Sequence, residues 1–303
     1  MQSTGPTILV IGATGKFARL VVPELARRKA VVRALVRKPS QGDGALAAGA
    51  TELAIGDLRN ADSLISAMAG VDGVFHIGPA FSPDEAAMGV ALVEAAERGG
   101  ARKFVFSSVI QPTNTRLKNH ASKVPVEDAL YSSSLEYTIL HPANFMQNIG
   151  LAWPGVVESG RFSEPFPNEA KVARVDYRDV AEVAAIALTS ELLAYATLEL
   201  CTGMFNRNEI ASIMSEELGR TIQACESSFS QWAAGARLPY GDRELQLLAD
   251  VHEHYSKYGL GGNSLSLAAA LGREPRSLRQ YIRELVQGTP SVVPAQDKEK
   301  KHG

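Results

Sequence analysis

Several features that mark particular protein classes are scarce in this sequence of 303 residues. Its two cysteines, Cys201 and Cys225, form neither a disulfide framework nor a metal-ligand spacing, so we expect no bound metal and a reducing, cytoplasmic compartment. No apolar run approaches the ~20 residues that a membrane span needs. No basic segment precedes an apolar one at the start of the sequence. We therefore expect neither a membrane span nor a secretory signal.

Neither sign of charge dominates the chain. It has 31 Lys and Arg against 33 Asp and Glu, a formal net charge of −2. This balance gives no electrostatic basis for binding nucleic acid or an anionic membrane. The last residues are almost all polar or charged, and we predict that residues 291–303 form a disordered tail.

What the sequence does contain is a regular alternation of strand and helix patterns. Short β-branched and apolar runs predict six strands, at residues 7–11, 30–36, 51–55, 73–77, 103–107 and 137–140. Helical patterns between them cover residues 15–29, 42–49, 61–69, 85–98 and 119–131. The alternation is typical of an α/β fold with a doubly wound parallel sheet, which we assign to residues 1–150.

Beyond Pro142 the regular pattern gives way to frequent proline and glycine. A helix at residues 180–188 and a strand at 197–200 are expected to rejoin the main sheet. Helices are then predicted at residues 206–218, 228–236, 242–258, 264–271 and 277–286. Residues 151–290 therefore form a smaller, mostly helical region in this interpretation.

A glycine-rich turn lies between the first strand and the first helix. Gly12, Gly15 and Ala18 form a G-x-x-G-x-x-A spacing. Gly12 permits the tight turn, Gly15 lets a pyrophosphate approach the backbone, and the small Ala18 lets the helix pack on the sheet. The exposed N–H groups of such a turn favour an anion, so we predict a dinucleotide site that includes Thr14, Lys16 and Phe17.

The end of the second strand indicates which dinucleotide binds. Enzymes that prefer NAD usually place a carboxylate there to hold the ribose 2′-hydroxyl. This chain has Arg37 instead, which can hold a 2′-phosphate in a bidentate contact, and the sequence thus favours NADP(H). Arg33 lies two positions earlier and can equally lie outside the site. After the third strand, Asp57 either accepts from the adenine amino group or caps the next helix, and Leu58 is expected to pack on the ring.

The carboxyl ends of the fourth and fifth strands should lie near the reactive end of the cofactor, because parallel sheets bind ligands at that edge. Gly78, Pro79 and Phe81 follow strand four, and we expect them beside the pyrophosphate and nicotinamide. Ser107 and Ser108 end strand five. They either line the site or cap the following turn.

Together with Gly56, Asp57 and Leu58, the turn and Arg37 make the sequence resemble the NmrA-like family of atypical short-chain dehydrogenase/reductases. Further matches are the runs at residues 104–109 and 137–148, Lys123 and Glu127, so the resemblance extends over roughly residues 6–290. The family contains NAD(P)H-dependent reductases of quinones, dyes and related molecules. It also contains redox-sensing regulators that bind the dinucleotide without turnover.

The resemblance implies roles for several residues around the nicotinamide. It puts Lys123 beside the nicotinamide ribose and Pro142, Asn144 and Phe145 over the nicotinamide end. Ordinary short-chain dehydrogenases carry a proton-donating Tyr four residues before this Lys, where this chain has Asn119.

Asn119 cannot act as an acid, so another residue would have to supply a proton. His120, three residues before Lys123, is the candidate proton donor, or else a plain surface residue. Glu127, four residues after Lys123, is a candidate ion-pair partner.

Aromatic residues supply candidate walls for a substrate pocket. The set consists of Phe81, Phe145, Trp153, Phe162, Phe166 and Trp232. Each of them is equally compatible with an ordinary core position.

Two functions follow from these patterns. The first is an NADPH-dependent reductase that passes a hydride to a conjugated small molecule, such as a quinone, enone, imine or aromatic dye. The second is a non-catalytic NAD(P)-binding sensor with a protein partner. The missing Tyr favours the sensor, whereas the aromatic segment favours an enzyme.

Overall fold

A parallel sheet of seven strands organises the computed structural model, which describes residues 5–288. The predicted tail at residues 291–303 lies outside the described residues. The strands of the sheet are β1 (Thr7–Val10), β2 (Val31–Val36), β3 (Glu52–Ile55), β4 (Gly73–Ile77), β5 (Lys103–Ser107), β6 (Glu136–Pro142) and β10 (Ala196–Leu200). They lie in the order β10-β6-β5-β4-β1-β2-β3, and every neighbouring pair is parallel. The order reverses between β1 and β4, which is the switch point of a doubly wound fold.

Helices cover both faces of this sheet. The helices up to the last sheet strand are α1 (Val21–Arg27), α2 (Asp43–Ala47), α3 (Ala61–Ala67), α4 (Glu85–Arg98), α5 (Lys118–Ala121), α6 (Val124–Tyr131), α7 (Trp153–Ser159) and α8 (Tyr177–Thr189). The apolar side chains of α1 and α8 share one core with the sheet, and those of α3, α4 and α6 share a second. The predicted fold class is confirmed: an α/β, Rossmann-like sheet with helices on both sides.

The C-terminal part is helical, but it also contains strands that the sequence patterns did not reveal. Its helices are α9 (Arg207–Leu218), α10 (Phe229–Ala236), α11 (Asp242–Tyr258), α12 (Leu265–Leu271) and α13 (Leu278–Gln287). Two small sheets accompany them, built from β7 (Asn144–Phe145), β9 (Val172–Val175) and β11 (Gly203–Phe205), and from β8 (Arg161–Glu164) and β12 (Gln223–Glu226). These strands have two to four residues each, too few for an alternating pattern to show.

Strand β10 lies at the edge of the main sheet beside β6, although it follows residue 150 in the chain. Helix α8 likewise packs against the main sheet. The nucleotide-binding fold therefore takes elements from beyond the first half of the sequence. A division into functional regions at residue 150 stays a prediction.

Two predicted helices are shorter than expected, in both cases because of a proline. Residues 15–29 contain a turn and a single 3-10 turn before α1 begins at Val21. The helix predicted over residues 119–131 divides into α5 and α6. Pro23 and Pro125 lack an N–H, so neither can donate the bond that would extend its helix backwards by a turn.

The remaining core lies under the C-terminal helices. Its buried side chains come from α7, β8, α9 and α13, among them Phe162, Ile210 and Ile282. Among the helices of residues 5–288, none combines the length and the apolar character that crossing a membrane requires.

Candidate functional site

The glycine turn after β1 has the geometry that the sequence predicts. Gly12 has φ +74°, a conformation that side chains disfavour, and Gly15 N donates to Gly12 O at 2.7 Å. A Cβ at position 15 would lie 3.1 Å from that same carbonyl oxygen, and one at position 12 would lie 3.5 Å from the Ala18 methyl. Thr14 and Gly15 are exposed. The turn at Gly12–Gly15, called the cradle below, therefore exposes backbone that no bulky side chain covers, and this surface fits a pyrophosphate.

Two side chains join this turn to the segment after β6. Lys16 Nζ donates to Gln147 O at 3.3 Å, and partial burial lowers the pKa of Lys16. The Phe17 ring lies edge-on to Phe145, with centroids 4.5 Å apart. Both rings also contact Tyr177 at the start of α8. The nucleotide turn and the predicted nicotinamide end are thus held together by one aromatic cluster.

A cavity of about 540 Å³ begins at this turn and extends beneath α10 and α11. Many of the residues singled out from the sequence line it, namely Gly12, Gly15, Lys16, Phe17, Ala18, Leu58, Gly78, Pro79, Phe81, Ser108, Asn119, His120, Lys123, Pro142, Asn144, Phe145 and Trp232. The fold therefore gathers residues from five separate strand ends around a single space, as a doubly wound sheet does at its switch point.

Three of the predicted aromatic walls lie elsewhere. Phe162 is fully buried in the C-terminal core, and Trp153 packs against that core. Phe166 is buried behind the cavity wall, where it stacks on His252 with centroids 6.0 Å apart. These three positions correct the expectation of a pocket wall, because each ring finds its apolar partners inside the core instead.

Four other predicted cofactor residues do not line the cavity. Thr14 and Arg37 are exposed at the turn and at the end of β2. Ser107 is fully buried, and its Oγ accepts a hydrogen bond from the Tyr177 hydroxyl at 3.2 Å. Asp57 accepts from the backbone N–H of Arg59 at 2.9 Å.

Hydrogen bonds decide whether Asp57 caps a helix and whether Arg33 lies in the site. Asn60 caps α3 through Ser63 N, so the helix cap is not Asp57. Arg33 donates to Glu52 at 2.7 Å and to two carbonyls after α3, which places it outside the site.

Lys123 is buried at the junction between α5 and α6 and forms an ion pair with Glu85. The second Glu85 oxygen accepts from Ser122 Oγ at 3.1 Å. A Cβ at position 78 would lie 2.5 Å from the Glu85 carboxylate, so Gly78 leaves the space that Glu85 occupies. Glu85 lines the cavity, although no sequence pattern marked it beyond its place at the start of a helix.

The predicted pairing of Lys123 with Glu127 is wrong. The Glu127 carboxylate accepts from Ser108 Oγ at 2.5 Å and lies 3.0 Å from His141 Nε2. The break before Pro125 puts Lys123 at the N-cap of α6 rather than inside one continuous helix. Glu127 N still donates to Lys123 O at 3.1 Å, so the i, i+4 spacing is present, but the two side chains are engaged by different partners.

His120 lines the cavity, but its surroundings disfavour the charged form. Its Nδ1 lies 3.1 Å from Gln111 O, an atom that can only accept, so Nδ1 carries the hydrogen. Burial lowers the pKa of His120, with smaller contributions from His254 and Lys123. The ring is thus neutral near pH 7 and presents Nε2 as an acceptor. Asn119 beside it also lines the cavity.

A further wall of the cavity comes from residues 232–260, of which Trp232 was among the predicted pocket walls. Trp232, Leu238, Tyr240, Leu248, Val251, His252, Tyr255 and Leu260 all line the cavity. Tyr240 lies edge-on to Phe81 with centroids 5.6 Å apart, and Arg243 Nη1 donates to Phe81 O at 2.7 Å. This largely apolar wall suits a planar hydrophobic ligand.

Comparison with known proteins agrees with this geometry. The model of the NmrA-like family matches residues 4–282. The NAD(P)H azoreductase of Xenophilus azovorans is 34% identical over 230 residues, which cover 71% of this chain and 75% of that protein. Quinone oxidoreductase 2 of Escherichia coli strain K12 is 24% identical over 284 residues, covering 92% and 98%.

The fold is also that of a solved relative. The triphenylmethane reductase of Citrobacter sp., crystallised with NADP(H), superimposes with a TM-score of 0.79 at 22% identity, covering 91% of this chain and 99% of that one. The resemblance inferred from the sequence is confirmed. The match over nearly the whole length shows that this chain belongs to the NmrA-like family.

Proposed function

We propose that this chain is an NADPH-dependent reductase that transfers a hydride to a conjugated small molecule: a quinone, an enone, an imine or an aromatic dye. The observation that carries the proposal is the continuity of the cavity. It begins at the Gly12–Gly15 cradle, passes Lys123 and ends among Trp232 and Tyr240. A dinucleotide and a planar acceptor can therefore share one space. The azoreductase and quinone oxidoreductase activities of its relatives support the same reaction class.

The nucleotide end suits NADP(H). The cradle after β1 accepts the pyrophosphate, Leu58 packs on the adenine, and Arg37 binds the 2′-phosphate at the exposed end of β2. The segment around Arg37 is Val36, Arg37, Lys38, Pro39, Ser40. It contains no carboxylate that would select the free 2′-hydroxyl of NAD(H).

The residues near Lys123 orient the reactants rather than supply a strong acid. When bound, the cofactor supplies the hydride. Lys123 binds the nicotinamide ribose and presents positive charge where electron density develops, while Glu85 fixes the direction of its ammonium. His120 is neutral, and Asn119 has no transferable proton. An acceptor that is already electrophilic needs little acid catalysis and takes its proton from water.

The test is NADPH oxidation measured by stopped flow with quinones, enones, imines and azo dyes, alongside a titration of cofactor affinity. A reductase shows acceptor-dependent oxidation with at least one class. If NADPH binds tightly and no class is reduced, the chain is a dinucleotide sensor, the second function that the missing Tyr suggested. NADH serves as the matched comparison in both measurements.

A further inference from the structure

Besides Glu85, one other carboxylate lines the cavity in the part of the chain that the structure describes. Glu164 ends β8, and its side chain is 12% exposed. It acts electrostatically on His252, which places it at the wall formed by residues 232–260. Glu85 is already occupied by Lys123 and Ser122. Glu164 is therefore the acidic group on the acceptor side of the cavity.

A buried arginine holds this carboxylate in place. Nη2 of Arg174, on β9, donates to both Glu164 oxygens at 2.7 Å. Arg174 is 1% exposed, and its Nε and Nη1 have no hydrogen-bond partner among the described residues. Among the described residues, Glu164 is therefore the only hydrogen-bond partner of the Arg174 guanidinium, and the ion pair holds the carboxylate in place. One nitrogen serves both oxygens, so each oxygen keeps lone pairs available to a ligand.

Arg207 is a second cation that acts electrostatically on Glu164, but its guanidinium donates to Asn168 and to the carbonyls of Phe166 and Cys225 rather than to Glu164. Burial lowers the pKa of His252 to about 4, so its ring is neutral at pH 7, and it lies edge-on to Trp232 with centroids 4.8 Å apart. The Tyr255 hydroxyl interacts with the Asn144 side chain. The lysines of the cavity are engaged elsewhere, Lys16 with Gln147 O and Lys123 with Glu85. A ligand group that reaches Glu164 therefore meets an anchored acceptor between aromatic rings.

We propose that Glu164 determines acceptor specificity by binding an N–H or O–H group on the acceptor. The inference rests on the proposed reductase function and names its substrate class: planar aromatic acceptors that carry an amino or hydroxyl substituent away from the reducible group. A hydrogen bond to a charged acceptor in a largely apolar cavity is stronger than one between neutral groups. A sulfonate or carboxylate at that place has no N–H or O–H to donate, so such acceptors gain no bond to Glu164 and should improve when its negative charge is removed.

The experiment compares kcat/KM for naphthoquinone, a naphthoquinone with an amino group on the outer edge of its distal ring, and the corresponding sulfonate. Each is measured with the wild type and with Glu164→Gln. For each protein, kcat/KM for one acceptor is divided by kcat/KM for another. Comparing this ratio between wild type and Glu164→Gln cancels the different intrinsic reactivity of the acceptors. We expect Glu164→Gln to reduce the amino-to-unsubstituted ratio by about tenfold and to raise the sulfonate-to-unsubstituted ratio. KM for NADPH should not change.

Glu226→Gln is the matched control. Glu226 pairs with Glu164 in the β8–β12 register, but its carboxylate accepts from Asn168 N at 3.0 Å, outside the cavity lining. It should leave both ratios unchanged. Because Glu164→Gln removes the charge partner of Arg174, Glu164→Asp is the second variant, which keeps the ion pair but withdraws the carboxylate and should lower the amino preference.

The outcomes separate the two proposals. If wild type reduces the quinones but both variants at position 164 keep the wild-type ratios, the specificity assignment is wrong and the reductase function stands. If one variant does not fold, as judged by circular dichroism and NADPH binding, the other decides. If wild type reduces none of the three acceptors, nor any other class in the panel, the reductase function itself fails.

Discussion

The two ends of the cavity are built in different ways. The nucleotide end is built around seven consecutive residues, Gly12–Ala18, whose turn is closed by the hydrogen bond from Gly15 N to Gly12 O. The acceptor end is assembled from the loop after β4, the end of β8, and helices α10 and α11, which are up to about 170 residues apart in the chain. A local turn can be recognised from sequence spacing, whereas an assembled wall leaves no such spacing. Mutations at the two ends should therefore differ in kind.

The largest effect is expected at the nucleotide end. Gly15→Val places a branched side chain against the Gly12 carbonyl and in the space of the pyrophosphate, so dinucleotide binding should be lost while the fold survives. Gly44→Val is the control, because a Cβ there meets nothing within 4 Å. Isothermal titration with NADPH and circular dichroism measure the two effects. Retained binding in a folded Gly15→Val protein would mean that the cofactor lies elsewhere.

A second prediction compares the pH dependence of stability at the two ends. Burial lowers the pKa of His252, at the acceptor end, from 6.5 to about 4. Between these values the unfolded chain binds a proton that the folded protein does not. The free energy of unfolding therefore falls as the pH is lowered through this range.

His252→Phe should remove up to about 3 kcal/mol of that fall, since the Phe ring cannot be protonated. His76 lies on β4, in the nucleotide-binding half of the fold, and burial lowers its pKa to about 3. The variant His76→Phe is therefore the matched comparison. Urea unfolding at a series of pH values is the measurement. An unchanged slope in His252→Phe would show that this ring is not held neutral.

We predict that cofactor choice depends on the exposed Arg37 at the nucleotide end. Arg37→Ala should weaken NADPH binding by ~1–3 kcal/mol, the range for losing a charged hydrogen-bond partner, and leave NADH binding nearly unchanged. Arg33→Ala on the same strand is the control, since Arg33 is bonded to Glu52 instead. Equal affinity of the wild type for NADPH and NADH, measured by fluorescence titration, would contradict the role of Arg37.

The smallest effect is expected where the two ends meet. Lys123→Ala should lower kcat/KM at least about tenfold, or roughly 1.4 kcal/mol, because the ribose and the developing charge lose one positive group. The exposed Lys118 on α5 provides the control Lys118→Ala. Lys123→Ala leaves the Glu85 carboxylate without its ion-pair partner. The double variant with Glu85→Gln therefore separates the effect of this unpaired carboxylate from the loss of the lysine. Steady-state rates equal to wild type in both variants would remove Lys123 from the mechanism.

Prediction from the sequence succeeded where the evidence is local and failed where it is not. Helix α4 and strand β5 begin and end at the predicted residues, because their apolar periodicity is undisturbed. The first predicted helix was too long and the fifth was taken as one helix instead of two, since periodicity continues through Pro23 and Pro125 while hydrogen bonding does not.

The site shows the same division. Sequence spacing singled out Gly12 and Gly15, which share one motif, and the family resemblance singled out Lys123; all three line the cavity. Sequence spacing could not identify Glu85 or Glu164, whose importance lies in partners 38 and 10 positions away, on other elements.

The sequence by itself therefore determined the order of strands and helices in the main sheet, the phosphate turn and the residue types available at each strand end. These depend on backbone conformation and on periodicities within a few residues. The tertiary structure alone decided that Lys123 is bonded to Glu85 rather than Glu127, and that Phe162 and Phe166 belong to the core. It also decided that Tyr240 and Glu164 face the same cavity as the nucleotide turn. Those contacts join residues distant in sequence, and only the packing of completed elements brings them within bonding distance.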